Sequence, residues 1–473
     1  KARKNNYVFL WGKAIEILAK IIMFAISLNK TFVQMKVSGV VSSLFIGCLF
    51  FTAPIQAQKT ITLEESIQQA LQNHYSIQIS KKRELQALND NTPGNAGFLP
   101  TITGTLNKNY TISGLDQEFF GGLRAPLVQS GVNSNSSNGG LAMVWTLYDG
   151  KGMFILRDRF KELQNLGAKQ TETAIENLIS LISSSYYDLI RQNLRVNNFR
   201  KGLEISNDRL KLAKDRYEVG QGSKVDYYSA QVDYNEDKAL LIAQEQSYLN
   251  TKISYNTLLV RNHQEEFNVD SKIDLLPKLN LPELKEFALK QNPTLISALL
   301  TKKITDLDTK SIQSLQMPQI DLLAGYNMSQ VNNGAGFGVQ RGTSDVLNYG
   351  LRATINIFDG YNQKRRVQNA KINAEIAQLQ IDDLKNALTS TLERAFVTYE
   401  NALNLISLET ENYAIAKQNI DIAFDRFKVG IATSYELREV QRNAVSAETR
   451  LIETKFAAKA AEIELIRLSG NLL

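Results

Sequence analysis

Residues 426–441 read "RFKVGIATSYELREVQ", and 210 positions earlier residues 216–231 read "RYEVGQGSKVDYYSAQ". Each stretch runs from an arginine (Arg216, Arg426) through an aromatic residue to Val-Gly (Val219 and Gly220, Val429 and Gly430), then to a hydroxyl residue, Ser223 or Thr433. Glycine takes up the left-handed conformation that ends a helix, and a Ser or Thr three residues on is placed to cap the next one. The pattern predicts one helix–turn–helix written twice.

The duplication spreads outward from these turns. "WTLYDG" at 145–150 matches "INIFDG" at 355–360 with the same offset of 210, and no gap separates these landmarks from the turns. Further upstream the offset is 218, where Pro100 meets Pro318 and "ALQNH" from Ala70 resembles "ALKQNP" from Ala288. All eight extra residues of the first copy therefore fall between 100 and 149. This is an internal repeat with a variable loop at one end, dividing the chain into 58–270 and 271–473.

Between landmark and turn, the second copy carries Ile372, Ile376, Leu379, Leu384, Leu388 and Leu392 at helical spacing, with polar residues on the other faces. No proline lies between 127 and 276 or after 318. The spacing predicts helices over 150–218 and 361–429, each about 70 residues and roughly 105 Å long. Shorter helices are expected over 62–96, 223–262, 283–315 and 433–469. End to end, 223–262 with 283–315, and 62–96 with 433–469, match a long helix, so the expectation is four columns, two continuous and two broken.

After Pro100, "TITGTLNKNYTIS" alternates: Ile102, Leu106, Tyr110 and Ile112 face one way, Thr101, Thr103 and Thr105 the other. Leu141, Met143, Trp145 and Leu147 form the matching face of a partner strand. In the second copy Ile320, Leu322, Tyr326 and Met328 answer Tyr349, Leu351, Ile355 and Ile357, with Asp321, Asn327 and Arg352 opposite. Each strand is read as about ten residues, the length a tilted strand needs to cross a bilayer. The Gly-, Asn- and Ser-rich segments 114–140 and 331–348 are expected as exposed loops. The apolar faces, with Leu106, Trp145, Tyr326 and Ile355, are assigned to lipid and the Thr- and Asn-rich faces to a wet lumen. Four strands cannot close a barrel, so copies must assemble to hide the sheet edges.

The net charge of +6 comes from the N-terminus: residues 1–57 hold seven Lys/Arg against Glu16 alone, leaving 47 basic and 47 acidic residues. No basic patch remains for nucleic acid. From Met35, "MKVSGVVSSLFIGCLFFTAPIQAQK" has the layout of a signal peptide over 35–57, with 1–34 an upstream segment or, alternatively, an amphipathic anchor. Cys48, the single cysteine, is read as a signal-peptide residue, with lipidation the alternative. The mature chain is then without cysteine, hence without disulfides or thiolate metal sites. His74 and His263 are the only histidines, and no phosphate loop or acid cluster with metal-ligand spacing occurs, so neither enzyme nor cofactor chemistry is expected.

Taken together, "WTLYDG" and "INIFDG" opening long helices, the duplicated turns, and "ITLEESIQQALQNHYSI" at 61–77 resemble the TolC-like outer-membrane efflux proteins over residues 60–473. The resemblance implies a mainly α homotrimer: four transmembrane strands per protomer form a twelve-stranded outer-membrane barrel in lipid, and helical hairpins continue as an α-barrel tunnel through the periplasm. It implies a passive conduit for tripartite efflux or type I secretion, working with a periplasmic adaptor (membrane fusion protein) and an inner-membrane pump. The quoted turns become tips at the tunnel mouth. Family members narrow that mouth with acids just past the second tip glycine, which here match Glu436 and Glu439, with Asp226 the counterpart in the first repeat. Their gate also uses an arginine two residues after that glycine, where this chain has Ala432. The acids could equally be solvated charges favoured at a helix start. For the whole chain, the alternative is a periplasmic coiled-coil scaffold or adaptor without a channel.

Overall fold

We describe residues 60–122, 125–335 and 339–471 of a computed structural model. The upstream segment 1–34, the signal peptide 35–57 and Cys48 lie outside the described residues.

Two short helices, α1 (Leu63–Asn73) and α2 (Tyr75–Asp90), lead into strands β1 (Thr101–Gln117) and β2 (Leu127–Tyr148). The long helix α3 (Gly152–Glu218) and its partner α4 (Lys224–Leu258) complete the first repeat. The second repeat copies this order with α5 (Leu281–Gln291), α6 (Pro293–Ser314), β3 (Gln319–Asn332), β4 (Arg341–Thr354), α7 (Asn362–Lys428) and α8 (Ser434–Ser469). The expected helices over 62–96 and 283–315 are each broken at equivalent residues. His74 Nδ1 accepts from the Ser76 N–H at 3.2 Å, and Asn292 Oδ1 from the Leu295 N–H at 3.1 Å, so each side chain ends one helix and caps another.

Both long helices leave their strands through the same turn. Gly150 and Lys151 sit at φ 68° and 71°, Gly360 and Tyr361 at 67° and 63°. At Gly150 no other residue fits, because a Cβ would lie 2.5 Å from Met317 and 2.7 Å from the Ser314 carbonyl.

The long and short helices pack as a layer in the order α4–α3–α8–α7, with α4 and α7 at its edges. Nearer the strands, α6 occupies the slot between α3 and α7 that α8 fills lower down. This corrects the expected stacking. Asn292 Nδ2 donates to the Leu468 carbonyl at 3.1 Å, and Leu284 and Ala288 pack with Leu465 and Leu468, so 281–314 continues the column of α8. The first-repeat helices α1 and α2 instead continue the column of α4, with Ile61, Ala70 and Ile77 packed in one cluster with Tyr255, Leu259 and Phe267. Lengths alone fit both pairings. The linker 259–280 is long enough to carry the chain into the neighbouring slot, and packing selects the arrangement.

The four strands form one antiparallel sheet in the order β1-β2-β3-β4. Its register aligns Gly104, Leu141, Tyr326 and Leu347 in one row and Thr103, Ala142, Gly325 and Asn348 in the next, on opposite faces. The apolar and polar faces expected from alternation therefore hold across all four strands. Three details differ. The strands hold 17, 22, 14 and 14 residues rather than about ten, because 127–140 and 341–348, read as loops, pair in the ladder: a polar composition marks exposure, not absence of pairing. A bulge between Thr146 and Tyr148 sets Tyr148, not Leu147, opposite Ile320. And Ile355 is not a strand residue: β4 ends at Thr354, opposite Gln319, because Pro318 can donate nothing to extend the ladder.

Candidate functional site

The two repeated turns are superimposable in their bonding. At the end of α3, Gly220 has φ 75° and the Gln221 N–H donates to the Arg216 carbonyl at 2.8 Å; at the end of α7, Gly430 has φ 81° and Ile431 donates to Arg426 at 2.9 Å. Ser223 Oγ then accepts from the Asp226 N–H at 3.0 Å, and Thr433 Oγ1 from the Glu436 N–H at 3.1 Å, which starts α4 and α8. Val219 and Val429 are left bare at the extremities.

The tips lie side by side. Arg216 Nη2 donates to the carbonyls of Phe427 at 2.6 Å and Lys428 at 3.2 Å, and its guanidinium stands 4.9 Å from the Phe427 ring. A first-repeat arginine thus adds a donor to two carbonyls at the end of α7, of which that of Phe427 also accepts from the Gly430 N–H at 3.1 Å. Each acid stays at its own tip. Asp226 Oδ2 accepts from Ser223 Oγ at 3.0 Å, and Glu436 faces Arg426 at 3.8 Å. Glu439 is exposed and enters no ion pair among the described residues. Ala432 is buried with Ile420, Phe427 and Leu437.

Above the tips lies a buried ionic cluster that the sequence reading missed. Arg209 of α3 pairs with Asp233 of α4 at 2.5 Å, and its Nη1 reaches the Ser434 carbonyl at 3.2 Å. Arg438 of α8 binds Asp237 at 2.7 Å and Glu236 at 2.9 Å. Gln441 donates to the Gly202 carbonyl at 2.8 Å and to Asp237 at 2.9 Å, and Ser206 donates to the same carboxylate. Burial works to lower the Arg209 pKa from its ordinary value and the Asp233 charge opposes it. Three helices from both repeats are held by one set of compensated charges. Comparing the repeats position by position would have flagged it: 210 residues away, Arg209, Asp233 and Asp237 become Asn419, Asn443 and Ala447, and Arg438 becomes Tyr228.

In the sheet, the apolar band is centred on the row of Leu141, Tyr326 and Leu347. Leu106 stands at one margin, in a row that also holds Met328 and Asp345. Trp145 stands at the other, beside Leu322, with its Nε1–H donating to the Phe98 carbonyl at 3.0 Å. A tryptophan with an apolar body and a bonded polar edge suits a membrane boundary. On the polar face Asp321 accepts from Thr146 at 3.0 Å and Arg352 at 2.8 Å, tying β2, β3 and β4 together. No described helix is long and apolar enough to cross a membrane.

A family model described as outer membrane efflux protein matches residues 66–259 and 284–471, one segment in each repeat. The chain belongs to the outer membrane efflux protein family. Outer membrane efflux protein BepC of Brucella suis is 20% identical over 327 residues, covering 67% of this chain and 70% of BepC. Outer membrane protein TolC of Vibrio cholerae is 21% identical over 387 residues, covering 80% of this chain and 84% of TolC. The crystal structure of the Campylobacter jejuni CmeC outer membrane channel matches with a TM-score of 0.73 at 15% identity, over 92% of this chain and 94% of CmeC. As a member of the outer membrane efflux protein family, the protein is an outer-membrane channel whose helical layer belongs to a periplasmic tunnel.

Proposed function

We propose that three copies of this chain close one twelve-stranded barrel and one helical tunnel, the passive exit duct of a tripartite efflux or type I secretion system. The observation that carries this reading is the open sheet: among the described residues β1 and β4 each present an unpaired edge, and copies joined β4 to β1 leave none. Two copies would give eight strands, a barrel whose interior side chains must fill. The polar face here, with Thr103, Ala142, Gly325 and Asn348 in one row, is too slight to fill it and suits a wider, wet lumen.

In this reading the protein performs no catalysis and takes its energy from an inner-membrane pump, reached through a periplasmic adaptor that meets the exposed tips. Asp226, Glu436 and Glu439 stand at the mouth, and residues 35–57 are removed on export, leaving the repeats 58–270 and 271–473. The test is reconstitution of the detergent-extracted protein in planar bilayers, with its mass measured by light scattering. Three copies and discrete conductance steps are expected. A scaffold without a channel would give a silent bilayer, and N-terminal sequencing that found residues 1–34 on the exported chain would remove the signal peptide.

A further inference from the structure

The two junctions where a strand passes into a long helix share one turn but not one filling. In the first repeat, Trp145 on the apolar face of the sheet donates to the Phe98 carbonyl at 3.0 Å, and the Phe98 ring meets that of Phe154 edge-on at 5.0 Å. The two rings close the space between the chain leaving α2 and the first turn of α3. Because Trp145 belongs to the apolar face, this filling lies on the side of the molecule which that face continues.

In the second repeat the same positions read differently. The offsets of 218 and 210 carry Phe98 to Gln316, Trp145 to Ile355, and Phe154, Ile155 and Leu156 to Lys364, Arg365 and Arg366. Ile355 has no side-chain donor, and the stack of Phe98 on Phe154 has no counterpart. A cavity of about 400 Å³ opens instead, lined by Leu315 and Gln316 past the end of α6 and by Phe358, Tyr361 and Lys364 at the start of α7. Beneath it Gln363 donates to the Ile312 carbonyl, so the two helices are tied there.

The lining has two kinds of surface. Toward the sheet it is apolar and bare: Ile357 and Phe358 are 91% and 71% exposed, and Phe358 stands edge-on to Tyr361 at 5.5 Å. Toward α7 it is cationic. Asp359 is the only acid of the lining and is met by Arg366 at 3.4 Å, which leaves Lys364 without an ion pair among the described residues. Arg365 beside it is exposed and likewise enters none. An apolar surface that continues a membrane-facing band and ends on unpaired cations matches a molecule with apolar tails and an anionic head.

We propose that this cavity holds an anionic phospholipid from the leaflet on the tunnel side of the membrane, its phosphate at Lys364 and Arg366 and its acyl chains against Ile357 and Phe358. The lipid takes the place in the second repeat that Phe98 and Phe154 fill in the first. The inference rests on the sheet lying in lipid and not on the number of copies.

The test uses the full chain in mild detergent, freed of lipid and titrated with phosphatidylglycerol or with phosphatidylcholine of the same acyl chains, and reads the first bound lipid by native mass spectrometry. Tighter binding of phosphatidylglycerol is expected. Lys364→Gln should weaken it about fivefold, the weight of one cation beside an anionic headgroup, and leave phosphatidylcholine unchanged. Gln316→Phe with Lys364→Phe, which restores the filling of the first repeat, should abolish the preference while helix content by circular dichroism is kept. Lys371→Gln, about two turns along the same helix, should change nothing. Equal binding of the two lipids to the unsubstituted protein overturns the site, as does a preference that survives both variants. Lys364→Cys in a chain carrying Cys48→Ser should react with a water-soluble maleimide in the lipid-free protein and be shielded by phosphatidylglycerol. A thiol closed to the reagent without lipid shows a neighbouring copy over the cavity and overturns the proposal equally.

Discussion

Arg209 and Asp233 meet at 2.5 Å with the arginine side chain wholly enclosed, joining the long and short helices of the first repeat just above its tip. Such a pair is strained less by its presence than by the loss of one member, which leaves a buried charge uncompensated. Asp233→Ala should therefore weaken the lower tunnel by about 3–5 kcal/mol, whereas Arg209→Met with Asp233→Leu should recover most of that loss. Hydrogen exchange along the lower ends of α3 and α8 reads the difference. Equal protection in the single and double variants would contradict it.

At the tips, the acids are not equivalent. Glu436 is already faced by Arg426 at 3.8 Å, while Glu439 stands exposed. Glu439→Gln should lower the cation-over-anion permeability ratio roughly twofold or more, since uncompensated charge sets the field at a constriction. Glu436→Gln should change it less, and Glu375→Gln, far up α7, should not change it. Single-channel reversal potentials decide the matter, and an unchanged ratio in the Glu436→Gln, Glu439→Gln double variant would take both carboxylates out of the gate.

The depth of the strand residues sets a third expectation. Leu141 lies in the central row of the apolar band, Leu106 and Trp145 at its margins, and Thr103 on the polar face. Arginine at Leu141 should oppose insertion by about 2–4 kcal/mol, at Leu106 or Trp145 by about 1 kcal/mol or less, and at Thr103 least. Yields of membrane-inserted protein rank them. If Thr103→Arg fails as badly as Leu141→Arg, the two faces have been exchanged.

Glu176 gives the tunnel a pH dependence. It is buried on α3, and burial, followed by the charge of Glu172, raises its pKa from 4.5 to about 7. Arg467 and Lys169 oppose the shift. The folded state therefore holds a proton that the unfolded chain releases between these two values, so stability falls as pH rises from about 4.5 through about 7. Glu176→Gln should flatten that slope and stabilise the protein above pH 7 by about 1–2 kcal/mol after solvent screening. Melting temperatures measured from pH 5 to 8 test it; parallel curves for both proteins would dissociate the slope from this residue.

What could be read from the sequence was what depends on neighbours along the chain. The turns at Gly220 and Gly430 need only a left-handed glycine and a hydroxyl cap, and the faces of Leu106 and Tyr326 need only alternation, so both were legible. What depends on meetings between distant segments was not. Two stackings of the short helices have the same total length, and the bond from Asn292 to Leu468 that selects one appears only in the folded chain. Ile355 alternates like a strand residue, but the strand beside it has already begun at Gln319. Arg209 looks like any solvated helix charge until α4 and α8 bring Asp233 and Arg438 to it.

The helices α3 and α7 each contain 67 residues, and the bond from Arg216 to the Phe427 carbonyl requires them to finish level. One residue inserted into either would advance everything below it by about 1.5 Å and rotate it by about 100°. Gly202 would turn away from Val445, and Arg216 would lose its acceptor. Seven inserted residues nearly restore the facing sides but drop one tip by about 10 Å, beyond the reach of its neighbour. The same seven added to both long helices, and to the short helices packed along them, leaves each facing side within about 20° of where it was. A tunnel of this kind is lengthened in steps of nearly whole turns, about seven or eleven residues, taken by both halves of the chain at once.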